Sequence, residues 1–122
     1  MDIMPGRAFI HTKLFDRKWK ELGCDDDDLW ELQRVIYENP QGPPVIRGTG
    51  GIRKIRFALD GKGKSGGARV LYIDFVAHET IGLLSVYSKN EQEDITEDER
   101  KALRDMGEQI NKNWRDAKWK KE

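Results

Sequence analysis

Cysteine occurs once in this 122-residue chain, histidine twice and proline four times. A lone Cys24 cannot close an internal disulfide or build a cysteine-based zinc site. The two histidines, His11 and His78, are far apart and in no ligand or triad spacing, so they read as surface or turn residues. Long apolar runs are also missing. None approaches the ~20 residues that a membrane span requires, and the first residues, MDIMPGR, lack the apolar stretch of a secretory signal. These absences lead to the expectation of a cytoplasmic protein with no membrane contact. No repeat or low-complexity segment breaks the chain. Its length suits one domain spanning residues 1–122, and four Trp, four Phe and three Tyr supply bulk for one core.

Net charge is absent too, because 22 Lys and Arg offset 22 Asp and Glu. The distribution is uneven. Residues 1–43 carry 6 basic against 9 acidic groups, a balance of −3. Residues 44–89 carry 8 against 3, or +5, and residues 90–122 carry 8 against 10, or −2. A basic island therefore lies between two acidic flanks, and a polyanion responds to the local field, not to the total.

The apolar spacing divides the chain into elements. Arg7 to Ile10 reads as a short strand. Leu14, Phe15, Trp19 and Leu22 recur at helical spacing from Thr12, and Gly23 is a natural stop. Asp25 to Asp28 precede Leu29, Leu32, Val35 and Ile36, as an acidic first turn precedes a helix. They are read as caps, not as a cation site. Asn39-Pro40 ends that helix and Gln41 to Pro44 is a connector. The period then becomes two. Ile55, Phe57 and Leu59 alternate with Lys54 and Arg56. Ala68 to Val76 reads as a central strand, Ala77 to Thr80 as a short connection and Ile81 to Tyr87 as a third strand. Thr96 and Glu99 have capping-box spacing ahead of Leu103, Met106, Ile110 and Trp114. The predicted fold class is α+β, a small antiparallel sheet packed by two N-terminal helices and one C-terminal helix. Residues 113–122, which include Trp119, are expected to form a frayed tail.

Gly-Lys-Ser within "GKGKSGGAR" (Gly61 to Arg69) invites comparison with a nucleotide-phosphate loop. That motif needs a glycine five residues before its Gly-Lys-Ser, and Ala58 stands there. It also needs a strand before it and a helix after it, whereas both flanks here read as strands. The nucleotide reading is excluded. What remains is a basic hairpin, with Lys62 and Lys64 in its loop, Lys54 and Arg56 on one face of the strand before it and Arg69 opening the strand after it. Adjacent strands would gather these cations around one phosphodiester.

Two stretches then carry a family resemblance. "GGIRKIRFALDGKGKSGGARVLYIDF" and "LLSVYSKNEQEDITEDERKAL" resemble the RelE/HigB-type toxins of bacterial type II toxin–antitoxin pairs, and the likeness covers about three-quarters of the chain. It implies a RelE-like fold and a metal-independent endoribonuclease, an mRNA interferase that cuts mRNA on the ribosome and needs no cofactor, since RNA supplies the nucleophile. It also implies neutralisation by a cognate antitoxin with a DNA-binding helix-turn-helix. The resemblance assigns catalysis to Lys54, Arg56, Arg69, Tyr87 and Lys89, and Lys62 and Lys64 are taken as RNA-binding. In that scheme Lys54 is the base, Arg69 stabilises charge on the phosphoryl group, Arg56 or Lys89 assists the leaving oxygen, and Tyr87 positions or stacks on a base. A plainer reading stands beside each role. Lys54 and Arg56 are the wet face of a strand, Arg69 pairs with Asp60 or Asp74, Tyr87 is packing and Lys89 is solvated. The alternative function is a noncatalytic RNA- or ribosome-binding module on the same sheet. The sequence leaves codon preference and oligomeric state open.

Overall fold

The computed structural model describes residues 2–59 and 67–120, with the side chains of residues 2–3 and 118–120 set aside. The expected basic loop residues Lys62 and Lys64, and Asp60, lie outside the described residues. Element order is β1 (Asp2–Met4), β2 (Arg7–His11), α1 (Lys13–Glu21), α2 (Asp26–Glu38), β3 (Arg53–Phe57), β4 (Ala68–Phe75), β5 (Thr80–Ser88) and α3 (Glu97–Lys120). A 3₁₀ turn, Val76–His78, joins β4 to β5. The strands form one five-stranded sheet in the order β1-β2-β5-β4-β3.

The helices begin where side chains can satisfy their open N–H groups. Thr12 caps α1 by accepting from Phe15 N–H at 3.0 Å. Gly23, at φ 81, follows that helix where a left-handed residue is needed. Asp25 and Asp28 form a reciprocal capping box on α2, each side chain accepting from the other's N–H at 2.9 Å. Thr96 and Glu99 do the same for α3 at 3.1 and 2.8 Å. The four aspartates are thus accounted for as caps and first-turn acids.

The α+β class stands as expected, but the sheet is not wholly antiparallel. β2 runs parallel to β5, with Ala8 opposite Thr80 and His11 opposite Leu83. A parallel pair needs a long crossover, and α1, α2, β3 and β4 supply it. β1, which the sequence reading missed, is a three-residue edge strand pairing antiparallel with β2. Beyond Leu83 the edge of β5 is no longer paired with β2. There α1 takes over, with Thr12 N–H donating to Leu83 O at 3.1 Å and Thr12 Oγ1 to Leu84 O at 2.7 Å. That helix covers what would otherwise be an open strand edge.

Two apolar cores lie on opposite faces of the sheet. One gathers Phe9, Phe15, Trp19, Leu32, Ile36, Val70, Tyr72, Ile81, Leu83 and Val86 beneath α1 and α2. The other gathers Ile52, Leu71, Ile73, Phe75, Leu84, Tyr87, Ile95 and Leu103 beneath α3. Strict alternation along β5 would put Tyr87 on the same face as Ile81 and Leu83. Instead the register slips, with Leu71 opposite Ser85 but Tyr72 opposite Leu83. The extra residue, Leu84, is a β-bulge that turns everything after it to the other face. Tyr87 therefore lies on the α3 side.

The expected frayed tail is a correction. α3 continues through Lys120, and Trp114 fixes its last turns by meeting Phe75 edge-on at 5.0 Å and stacking on His78 at 4.1 Å.

Candidate functional site

The strand register decides which cations meet. In β3 and β4, Arg56 lies directly opposite Arg69, and Lys54 lies opposite Leu71. In β4 and β5, Arg69 lies opposite Tyr87. Residues directly opposed in a sheet share a face, with Cβ atoms roughly 4.5–5.5 Å apart. Arg56, Arg69 and Tyr87 thus form one row across three strands, and Lys54 begins the next row on the same side. Leu71, Ile73 and Phe75 continue that side of β4 under α3. The helix leaves the Arg56 end uncovered. Arg56 is exposed, and Lys54 and Arg69 are half-buried.

Two backbone features bring the strands together there. Gly67 takes φ +68, and a Cβ on it would come within 2.6 Å of the Phe57 carbonyl oxygen. Glycine is needed both for its left-handed backbone and for the close approach to β3. Gly67 O also accepts from Lys89 N–H at 3.1 Å, tying the end of β5 to the start of β4. Phe57 ends β3 and Ala68 begins β4, so strands flank the glycine-rich segment on both sides, as the exclusion of a nucleotide loop required.

Tyr87 is only 3 % exposed, and its hydroxyl is enclosed without a hydrogen-bond partner. A buried ring cannot stack on a nucleobase, so the stacking role given to it is not available in this structure and the packing alternative describes it. Burial raises the Tyr87 phenol, Asp94 raises it further and Arg69 partly opposes that. Those two charges therefore act on the same small region.

Lys89 lies just past β5 and pairs with Glu93 at 3.4 Å. Lys54 Nζ lies 3.7 Å from Asp94 Oδ1. The sequence reading overlooked these carboxylates, although the acidic run "NEQED" stands immediately after Lys89. Its segment is firmly held. Asp94 Oδ1 accepts from Ile95 N–H at 2.8 Å, and Gln92 Nε2 donates to Asp94 O at 2.9 Å and to Glu99 Oε1 at 3.1 Å. Burial would raise the Glu99 carboxyl, but hydrogen bonds from the Thr96 backbone, Gln92 and the Thr96 side chain outweigh it and hold the group below the usual range.

Asp74 does not serve Arg69. It lies on the opposite face, 3.5 Å from Arg7 and accepting from Gln41 at 3.3 Å. Arg53 is likewise taken up by structure, donating to the Gln41 and Pro43 carbonyls at 2.9 and 2.7 Å. His11 meets Asp16 at 2.7 Å, and His78 is exposed against Trp114. Ser85 is buried beside a cavity of about 200 Å³ between α1 and α3, whose charged lining is Lys18 and Glu99. The cationic row lies outside that cavity, on open sheet surface. Among the described residues no cluster of His, Cys, Asp and Glu is arranged to hold a metal ion, and no helix is long and apolar enough to cross a membrane.

The model of the RelE toxin of the RelE/RelB toxin–antitoxin system matches residues 7–119. The chain belongs to the RelE toxin family. It is thus a toxin of a toxin–antitoxin system, and the matched span takes in every strand from β2 onward and nearly all of α3. Among solved structures, the chain is similar to the intact E. coli RelBE toxin–antitoxin complex at 17% identity, covering 66% of this chain and 93% of that one with a TM-score of 0.46. It is also similar to an arginine-to-alanine mutant of E. coli toxin RelE in the free state. There the identity is 19%, the coverage 70% of this chain and 85% of that one, and the TM-score 0.46.

Proposed function

We propose that this RelE-family toxin is an endoribonuclease that cuts mRNA on the ribosome, with the row Arg56–Arg69 and the neighbouring Lys54 around the scissile phosphodiester. A cognate antitoxin with a DNA-binding helix-turn-helix neutralises it. The observation that carries this reading is the direct opposition of Arg56 and Arg69. Like charges facing each other across a strand pair destabilise a sheet, and this pair lies on the part of the face that α3 leaves open. Two guanidinium forks side by side on that uncovered surface can receive the oxygens of one phosphate between them.

RNA supplies its own nucleophile, so the protein's task is positioning and charge stabilisation. The 2′-hydroxyl attacks phosphorus and loses its proton, while the bond to the 5′-oxygen breaks and that oxygen gains a proton. A cyclic phosphate is left on the upstream fragment. Arg69 and Arg56 offer planar forks to the nonbridging oxygens, where negative charge grows. Lys54 is the amine nearest this pair along β3 and is assigned to the attacking side. Lys89, past the end of β5, is assigned to the leaving side. Tyr87 flanks Arg69 in the same row. Lys62 and Lys64 are assigned to RNA binding.

The test is induced expression of wild type and Arg69→Ala. Growth arrest with cut transcripts in the first, and a loss of cleavage of roughly 10²–10³-fold in the second, is expected for a charge-stabilising group. Undiminished cleavage by Arg69→Ala would overturn the assignment. Arrest without cut transcripts would instead support the noncatalytic RNA- or ribosome-binding module on the same sheet.

A further inference from the structure

Lys54 and Lys89, both assigned to catalysis, each face a carboxylate of their own chain. Asp94 stands 3.7 Å from Lys54 and Glu93 stands 3.4 Å from Lys89. Both acids belong to the segment between β5 and α3, and their surroundings differ. Glu93 is 89% exposed at its side chain and pairs at helical spacing with a residue four positions away, as a solvated surface pair does. Asp94 reaches from that segment to a different strand. It is also fixed: the Ile95 amide holds Oδ1, Gln92 holds its carbonyl, and the buried Ile95 and the Thr96–Glu99 capping box anchor the residues that follow. The carboxylate cannot swing far without disturbing the start of α3.

We infer that Asp94 is a built-in counter-ion of the RNA site, a positioning residue that occupies the place beside Lys54 until a phosphodiester displaces it. This deepens the cleavage reading above and rests on it. Asp94 holds the Lys54 amine at the Arg56–Arg69 row while the site is empty, and an incoming phosphate must compete with a tethered carboxylate. The consequence concerns ions. In the wild-type protein the displaced Asp94 stays beside the bound phosphate as a fixed negative charge and offsets part of what Lys54 contributes. With the carboxylate gone, the net positive charge that the phosphates meet there is greater by one. The salt dependence of binding then steepens.

The substitution that isolates the charge is Asp94→Asn, since its side-chain oxygen can still accept from Ile95 N–H. Binding of full-length protein to a single-stranded 2′-O-methyl RNA oligomer, which cannot be cleaved, is followed by fluorescence anisotropy over a salt series. Asp94→Asn is expected to bind roughly two- to five-fold tighter at low salt, the range an exposed charge pair supports. The slope of log K against log salt should steepen by about 0.7. In a Lys54→Ala background the same substitution should change neither quantity. Glu31→Gln, an equal change of charge on α2, should have a smaller effect in the wild-type background. Unchanged or weaker binding by Asp94→Asn, an effect that persists in full without Lys54, or an equal effect of Glu31→Gln would each overturn the inference while leaving the cleavage reading in place. Failure of both wild type and Asp94→Asn to bind the oligomer would overturn this inference alone, because the cleavage reading places the message on the ribosome and is tested separately by Arg69→Ala.

Discussion

The two faces of the sheet use similar strands to opposite ends. The face under α1 and α2 is closed. Phe9, Phe15, Leu32, Ile36, Val70, Tyr72, Ile81 and Leu83 are all inaccessible there, and its charged neighbours Arg7 and Arg53 are engaged with Asp74 and with connector carbonyls. The face under α3 is closed over one half by Ile52, Leu71, Ile73, Phe75 and Leu103 and open over the other, where Lys54, Arg56 and Arg69 stand. The closed face supplies stability, and the half-open one keeps a charge arrangement that stability alone would not select. A single long helix on one side, against two on the other, produces that division of labour.

Truncating the closed face should do the most damage to folding. Phe9→Ala is expected to cost about 3–5 kcal/mol, read by urea denaturation. If it reduced cleavage per folded molecule as much as Arg69→Ala does, the two faces would not be separable. Arg56→Ala should show the reverse profile. Single-turnover cleavage of ribosome-bound message falls by roughly 10²–10³-fold, and thermal stability changes little because Arg56 is an exposed side chain.

Alkaline titration sharpens the contrast through Tyr72 on the closed face, whose phenol is pushed up to about 12, first by burial, with Arg53 opposing and Asp74 adding to it. The sign follows from linkage. The neutral phenol is favoured in the folded protein, so its contribution is fully present below the ordinary pKa of about 10 and is lost as pH rises toward 12. Absorbance of tyrosinate combined with denaturation across that window should show stability falling with pH, and Tyr72→Phe should flatten that part of the fall. A flat profile in the wild type would contradict the burial of Tyr72. Asp25→Ala should cost about 1 kcal/mol through loss of the α2 capping box and leave cleavage unchanged. Smallest of all, Tyr87→Phe removes a hydroxyl that has no hydrogen-bond partner and should change stability by less than about 1 kcal/mol. A large loss of cleavage in that variant would show that the hydroxyl, although enclosed, takes part in the chemistry.

Much of this was legible in the chain. Local chemistry set the helices, because Thr12, Asp25 and Thr96 can each satisfy open amides wherever the rest of the molecule lies. The alternation of Ile55 and Phe57 with Lys54 and Arg56 placed both cations on one side of their strand, since a strand's period is fixed. Trp114 was read as part of a helical stripe, yet the helix beyond it was mistaken for a tail, because its partners Phe75 and His78 are distant in sequence.

What the amino-acid order determined by itself is therefore local: the elements, their caps, and a basic middle segment between acidic neighbours. Only the tertiary structure decided which charges face one another. The slip at Leu84 turned Tyr87 toward Arg69, the parallel pairing of β2 with β5 left an edge for α1 to cover, and the turn into α3 brought Asp94 to Lys54. Each depends on contacts between residues far apart in the chain, where pairing register and packing, not the preference of any one residue, set the free energy.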